Sequence, residues 1–225
     1  MLKIRKFSSV FLVLLILVGG ISITPISVSA VNYNPSSAVA YARQYWNNYN
    51  PNYPNYNSSG GDCTNFASQC LLASGVHMQN EWCINKLHNN NPVPTIENIN
   101  DGWSYSLIYG YNYLGGASPW ISVLAFSSYW NSHSTQHTNV SANSVINNPD
   151  YSFGLPFNCG DVIVCKDGIT PKHALYIVGY THTSSGRTYV VASHTSDYAN
   201  RNLITVAQNI SAEYSFPSFE FYSMN

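Results

Sequence analysis

One cysteine of this 225-residue chain stands where a thiol could act as a nucleophile. Cys63 follows Gly60, Gly61 and Asp62 in the segment GGDCTNFASQC, and the helical spacing of the apolar residues after it predicts a helix that stops at Gly75. The two glycines allow a tight turn, and Asp62 is the predicted N-cap. Cys63 would then lie in the first turn, beside unpaired N–H groups and the positive end of the helix dipole, where the thiolate is favoured.

The helix end alone does not activate this thiol. Lowering a thiol pKa from about 8.5 to about 5 requires roughly 5 kcal/mol, whereas a helix N-terminus supplies at most ~2 kcal/mol. A catalytic Cys63 therefore needs a nearby cation, normally a histidine imidazolium. The alternative is a structural role, because Cys63, Phe66, Ala67 and Cys70 form a stripe on one helix face and free cysteine is often buried. The stripe puts Cys70 in the core and Cys63 at the exposed end.

Among the seven histidines, His173 is the best candidate for the base. It opens the apolar run Ala174–Tyr180, which predicts a strand, so the ring can project from the sheet edge while the strand fixes the backbone. His133 and His137 have an H-x-x-x-H spacing, but Ser134 stands where a zinc protease carries its glutamate, and a third ligand is missing. The sequence therefore predicts no metal site and no cofactor.

A third polar group can be placed near His173 through the predicted hairpin turn TSSG at 183–186. A two- or four-residue loop pairs residues whose numbers sum to 369, which brings His194 diagonally across from His173 on the same face. A three-residue loop shifts the sum to 370 and sets Asp197 opposite His173. Either side chain could orient the imidazole, which completes a set of nucleophile, base and orienting group. The favoured set is Cys63, His173 and His194, with Asp197 as the alternative.

The elements that would position these residues are helices followed by strands. Helical spacing predicts helices at Ser36–Tyr49, with Ser36 or Ser37 as N-cap, from Asp62 or Cys63 to Gly75, and at Pro119–Trp130. β-Branched and aromatic runs predict strands at Asp161–Cys165, Ala174–Tyr180 and Thr188–Ser193. This order indicates an α+β domain with an antiparallel sheet.

The first thirty residues have the pattern of a secretory signal peptide. Three basic residues precede the short apolar core Val10–Val18, and Val28, Ser29 and Ala30 form a small-residue cleavage site. The apolar run is short for a stable membrane span. Cleavage after Ala30 would leave residues 31–225 as a single domain with a sizeable core and a net charge of −4.

The composition of the mature chain excludes some partners. It holds no basic cluster that could neutralise phosphates, so nucleic acid is not an expected partner. The many Tyr, Asn, Ser and Thr residues suit neutral polar ligands such as glycans or peptides, and equally suit extracellular solubility. An odd number of cysteines in a secreted chain leaves at least one free thiol or an intermolecular bridge. The five are Cys63, Cys70, Cys83, Cys159 and Cys165.

Several of these segments together resemble a known family. With GGDCTNFASQCLLASG, NCGDVIV, KHALYIVGY and SHTSD, the chain is similar to the "putative amidase domain" of secreted bacterial proteins. That family looks like a branch of the papain-like enzymes, akin to the NlpC-type and the cysteine, histidine-dependent amidohydrolase/peptidase domains. The resemblance runs from about Ser36 to Asp197, and the loop Val76–Asp101 with Cys83 matches none of its segments. It implies a papain-like fold in which helices, one with the nucleophile at its N-terminus, pack on a C-terminal antiparallel sheet.

The resemblance also implies a reaction, the hydrolysis of an amide through an acyl-enzyme, with Cys63 as nucleophile and His173 as base. The Cys63 N–H would be one oxyanion donor, and Asn57 or a tyrosine of the preceding loop is a candidate for another. For an exported enzyme the expected substrates are peptides, foremost the stem peptides of peptidoglycan. Two other classes remain open: an inactive glycan- or peptide-binding module on the same fold, and a structural protein cross-linked by disulfides.

Overall fold

Six antiparallel strands form the centre of the described part of the chain. The structure, a computed structural model, describes residues 33–53, 55–59, 61–77, 82, 119–150 and 154–224. The strands are β1 (Gln136–Ser141), β2 (Val162–Asp167), β3 (Thr170–Thr183), β4 (Gly186–Ser193), β5 (Tyr198–Asn202) and β6 (Pro217–Ser223). Their order in the sheet is β1-β6-β2-β3-β4-β5, and all neighbours are antiparallel. The predicted antiparallel sheet is confirmed.

Helices cover both faces of this sheet. The first face carries α1 (Pro35–Tyr45), α2 (Cys63–Ala73) and α3 (Val123–His133), and the second carries α4 (Ala142–Asn147) and α5 (Leu203–Glu213). Side chains of a strand alternate between faces, so β2 and β3 must be apolar at successive positions to fill both cores. In β2, Val162 and Val164 belong to the first core, and Ile163 and Cys165 belong to the second. The α+β class is therefore confirmed.

Helix α1 differs from the predicted Ser36–Tyr49 at both ends. Its N-cap is Asn34, whose side chain accepts a backbone hydrogen bond from the first turn at 3.2 Å, and Pro35 takes the first helical position. The helix ends at Tyr45, whose carbonyl accepts a hydrogen bond from His194 Nε2 at 2.7 Å. A tertiary contact that helical periodicity does not reveal thus ends α1 one turn early.

Helices α2 and α3 carry the residues around the predicted nucleophile. Helix α2 begins at Cys63 and is followed by Gly75 with a positive φ of 97°, as expected for a glycine just past a helix C-terminus. Helix α3 begins four residues after the predicted Pro119, because the Ser122 hydroxyl caps it by accepting from Ala125 N at 3.4 Å.

The predicted elements omit β1, β5, β6, α4 and α5. Strands β1 and β5 are the two edges of the sheet, and their largely polar sequences, QHTNVS and YANRN, carry little of the apolar pattern of a buried strand. The predicted signal peptide, Cys83 and nearly all of the Val76–Asp101 loop lie outside the described residues. Within the described residues, no helix is long and apolar enough to cross a membrane.

Candidate active site

Cys63 occupies the first position of α2 and is 7% exposed. The turn before it needs Gly61, whose φ of +120° is a conformation that other residues rarely adopt. Asp62 is at the N-cap position, as predicted, but its side chain makes no capping hydrogen bond. The capping prediction is wrong because other buried donors bind this carboxylate. The first-turn N–H groups are therefore not occupied by Asp62.

His173 on β3 is the partner of the Cys63 thiol. The two side chains lie close enough for each to shift the pKa of the other. Burial raises the pKa of the Cys63 thiol, but the charge of His173 and its hydrogen bond outweigh burial and lower that pKa to about 7. Burial also lowers the pKa of His173, while the charge of Cys63 and the same hydrogen bond raise it above the ordinary value. Each group thus favours the charged form of the other, as in a thiolate–imidazolium pair.

Ser193, at the end of β4, holds the other side of the His173 ring. Its Oγ lies 2.9 Å from His173 Nε2, and 2.9 Å from the carbonyl oxygens of Ala174 and His194. A hydroxyl has one proton, and two carbonyls compete for it, so the oxygen accepts a hydrogen bond from Nε2–H. This leaves Nδ1 to face Cys63. No pattern in the sequence singles out Ser193.

The prediction that His194 orients His173 is wrong, and the reason is a β-bulge. Strands β3 and β4 are joined by a two-residue turn. From Thr183, paired with Gly186, to Gly179, paired with Val190, the numbers of paired residues sum to 369, as predicted. The register then shifts by one at Val178, so that Ile177 pairs with Val191. A one-residue shift exchanges the faces of all later side chains. Ser193 therefore meets His173, and His194 is turned to the face of the sheet that carries α1 and α2.

His194 binds Asp62 instead. Its Nδ1 donates to Asp62 Oδ2 at 2.5 Å, its Nε2 donates to the Tyr45 carbonyl at 2.7 Å, and both side chains of the pair are 1% exposed. Both ring nitrogens face acceptors, so the ring holds the Asp62 carboxylate on one side and the Tyr45 carbonyl on the other. The rings of Phe66 and Tyr49 lie on it, with centroid distances of 4.1 and 4.0 Å. This ion pair ties the residue before Cys63 to the sheet.

Asp62 has three further contacts that fix the turn. Its Oδ1 accepts from Tyr56 N at 2.9 Å and from Asn65 Nδ2 at 2.8 Å. Its own N–H donates to Thr195 Oγ1 at 2.6 Å. Thr195 has a φ of 62°, uncommon for a residue other than glycine, and such strain often lies at functional sites. The segment after β4, through Thr195, thus binds the backbone of the residue that precedes Cys63.

The two weaker candidates, Asp197 and Asn57, make described contacts with other residues. Asp197 Oδ1 accepts from the Tyr49 hydroxyl at 2.9 Å, so its described contact is not with the imidazole. Asn57 lies in a short 3₁₀-helix, accepts from Thr195 Oγ1 at 3.2 Å and donates from Nδ2 to the Tyr49 hydroxyl. Its amide is engaged in this network, so the structure does not support Asn57 as an oxyanion donor.

The other described cysteines have different surroundings. Cys70 is fully buried in α2, and burial raises its pKa well above the usual range, which confirms the prediction that it belongs to the core. Cys165 is buried in β2, and its pKa is also raised by burial. Cys63, Cys70, Cys159 and Cys165 are free thiols. In the described ranges, no group of three or more His, Cys, Asp or Glu side chains is arranged to hold a metal ion.

The chain is similar to one known protein over a short stretch and to one protein family over most of its length. A 50-residue stretch is 46% identical to "Uncharacterized protein YhbB" of Bacillus subtilis (strain 168), and it covers 22% of this chain and 15% of that protein. No solved structure matches the chain. Residues 32–216 match the family model described as "Putative amidase domain". Since this match covers most of the chain, the protein belongs to that family.

Proposed function

We propose that this protein is a secreted cysteine amidohydrolase that cleaves amide bonds through an acyl-enzyme on Cys63. The family description indicates amide hydrolysis in general. The observation that carries the cysteine mechanism is the contact between Cys63 and His173 at the start of α2, where His173 lowers the pKa of a buried thiol to about 7. A thiolate at neutral pH is the reactive form of a cysteine nucleophile.

The proposed reaction has two steps. The Cys63 thiolate attacks the amide carbonyl, and the negative charge that develops on the carbonyl oxygen is stabilised by N–H groups of the first turn of α2, including that of Cys63. His173 donates its Nδ1 proton to the leaving amine as the C–N bond breaks, which leaves a thioester. The neutral imidazole then takes a proton from water, hydroxide adds to the thioester carbonyl, and the thiolate leaves.

Ser193 has a positioning role in this scheme. By accepting from Nε2–H it fixes the tautomer in which Nδ1 faces the thiol, and it stabilises the imidazolium that forms in each cycle. The usual orienting group of such a set is a carboxylate or an amide, and a hydroxyl held by two carbonyls provides a weaker acceptor.

The proposed substrates are peptides of the cell envelope. The signal-peptide pattern of residues 1–30 indicates export, and peptidoglycan stem peptides are abundant amides outside the cell. The proposed location is extracellular or associated with the cell wall. Sequencing the N-terminus of the protein recovered from the medium of an expressing host tests this part, and we expect it to begin at Val31. An intact Met1 on the exported protein would contradict it.

The hydrolase proposal is tested on the secreted protein in water enriched in oxygen-18. Purified peptidoglycan, its soluble stem peptides and unrelated peptides are incubated with the protein, and products are identified by mass spectrometry. We expect a new amine and a carboxylate that has gained one heavy oxygen, and no product from Cys63→Ser.

The binding-module alternative is tested by the reaction of Cys63 with iodoacetamide at pH 7. A rate no greater than that of a free cysteine would show that the thiol is not activated. That result would favour a binding module on the same fold over an enzyme.

A further inference from the structure

A pocket of about 500 Å³ lies along the edge strand β5, outside the groups assigned to the reaction. It is open to solvent, and β5 contributes all five of its residues, Tyr198–Asn202, to the lining. Trp46, from the turn after α1, Asp197 and Thr205 complete it. This pocket has no role in the mechanism described above.

The pocket adjoins the Cys63–His173 pair through β4. Tyr198 is paired with Ser193 in the β4–β5 ladder, and Ser193 Oγ touches His173 Nε2. Neighbouring strands are about 4.8 Å apart, so the pocket begins one strand spacing from the residue that holds the imidazole.

Arg201 is the cation of the pocket. Its guanidinium lies over the Tyr198 ring, 3.9 Å from the ring centroid, and its side chain is half-buried. Arg187 and Lys166 are paired with Asp150 and Glu220, but no ion pair involves Arg201 among the residues that the structure describes. Stacking on one face of the guanidinium leaves its in-plane N–H groups for an acceptor, and a carboxylate fits that fork.

The charge of Arg201 also reaches the reacting groups. It lowers the pKa of His173, opposite to the effect of Cys63, which places the guanidinium within electrostatic range of the imidazole. Asp197 contributes a charge of the opposite sign to the same pocket, and its Oδ1 accepts from the Tyr49 hydroxyl. The pocket therefore offers a cation with free donors and an anion that is already hydrogen-bonded.

We propose that this pocket is a substrate subsite, in which Arg201 binds a carboxylate carried by the substrate near the scissile amide. The proposal rests on the proposed amide hydrolysis at Cys63 and narrows its substrates to acidic peptides. The alternative is that Arg201 only prevents the edge strand β5 from pairing with strands of other molecules. That role predicts no preference for substrates with a carboxylate.

The test uses alkylating probes in matched pairs, because they report on the pocket without knowledge of the natural substrate. The pairs are bromoacetate and bromoacetamide, bromoacetyl-glycine and its amide, and bromoacetyl-glycylglycine and its amide. The Cys63 thiolate displaces bromide from each probe, so the C–S bond forms as the C–Br bond breaks. Rates at Cys63 are measured on the secreted full-length product by peptide mass spectrometry. The ratio of the carboxylate rate to the amide rate cancels any change in thiol reactivity that both probes share.

We expect this ratio to fall by about threefold or more in Arg201→Gln for at least one probe length, the size expected for one unit charge in a partly solvated site. Arg201→Lys, which keeps the charge, should retain most of the ratio, and Asp197→Asn should raise it. Added salt should lower the ratio of the unmodified protein. Arg187→Gln removes an equal charge from the far end of β4 and is the matched control, with no change expected. Should Arg201→Gln not fold, Arg201→Met, which keeps the apolar contact with Tyr198, replaces it.

An unchanged ratio in Arg201→Gln at all three probe lengths would overturn the subsite. An equal fall in Arg187→Gln would also overturn it, because the effect would then come from net charge alone. A different result would contradict the proposed cysteine hydrolase itself. If the neutral probes react with Cys63 no faster than with free cysteine, the nucleophile is wrong whatever the ratio is.

Discussion

Breaking the ion pair between Asp62 and His194 is the sharpest test of how the chain fixes Cys63. His194→Ala removes the ring that binds Asp62 Oδ2 at 2.5 Å and the Tyr45 carbonyl at 2.7 Å. The Asp62 side chain is 1% exposed, so its carboxylate stays buried, with Tyr56 N–H and the Asn65 amide as remaining donors. The substitution therefore leaves a buried charge without its counter-ion.

The expected cost follows from the burial of both groups. Removing one member of a buried ion pair destabilises a protein by about 3–5 kcal/mol. In a domain of this size each kcal/mol shifts the thermal midpoint by about 2–4 °C. The midpoint of His194→Ala should therefore fall by roughly 6–20 °C.

Asp62→Asn should cost much less, about 1–2 kcal/mol, because every hydrogen bond can be kept. The amide oxygen takes the place of Oδ1 and accepts from Tyr56 and Asn65. The amide nitrogen takes the place of Oδ2 and donates to Nδ1 of a neutral His194, whose Nε2–H still donates to Tyr45. The two substitutions act on one pair, yet His194→Ala should cost about 3–5 kcal/mol and Asp62→Asn only about 1–2 kcal/mol.

The assay is thermal and urea unfolding of the secreted protein, followed by near-ultraviolet circular dichroism. His137→Ala, on the exposed side of β1, is the matched histidine deletion and should stay within about 0.5 kcal/mol of the unmodified protein. A loss below about 1 kcal/mol in His194→Ala would show that the pair does not hold the turn. Equal losses in His194→Ala and Asp62→Asn would show that the cost does not come from leaving a buried charge without its counter-ion, because Asp62→Asn leaves no such charge.

Three further results are expected. The rate of Cys63 alkylation by iodoacetamide should rise with pH as the thiolate forms, with its midpoint near pH 7. His173→Gln should move the midpoint above that of a free thiol, because burial then outweighs the remaining hydrogen bonds from Ala174 and Thr64; an unchanged midpoint in this variant would refute the pair. Cys63→Ser should fold normally and lose hydrolysis by several orders of magnitude. Cys70→Ser should lower the unfolding free energy by about 1–3 kcal/mol and keep the hydrolytic activity. The reverse outcome would identify Cys70 as the nucleophile. Ser193→Ala removes a hydrogen bond to the His173 ring, and a hydrogen bond to a charged group contributes about 1.5–3 kcal/mol. The value of kcat/KM should therefore fall by roughly tenfold or more. Full activity of this variant would show that Ser193 does not position His173.

The places of Cys63 and His173 in the fold could be predicted because their signals are local. Two glycines, an aspartate and an apolar helical stripe lie within a dozen residues around Cys63, and helix α2 begins where those signals place it. His173 precedes an uninterrupted apolar run in the same way. Composition was sufficient to predict the core strands β2 to β4, because their central residues are buried on both faces of the sheet.

The third group could not be predicted because it depends on one bulged residue. The hairpin turn fixes the register as far as Gly179, but the extra residue at Val178 is accommodated by packing on both faces of the sheet. Gly179 is the only local hint of an irregular strand, and it does not say on which strand or at which position the register shifts. The contact between Asp62 and His194 spans 132 residues, which no local pattern encodes.

The burial of Asp62 against His194 has a consequence for the chemistry of the adjacent residue. An N-cap carboxylate that accepted the first-turn N–H groups would place a negative charge beside the Cys63 thiolate and occupy the donors that an oxyanion needs. In the structure the carboxylate makes no hydrogen bond to these N–H groups and instead binds His194, on whose ring Phe66 is stacked and Tyr49 lies tilted. The first-turn N–H groups therefore remain for the thiolate and the oxyanion of the proposed reaction. His194 supports the proposed role of Cys63 in this way, by holding the neighbouring carboxylate away from the helix end.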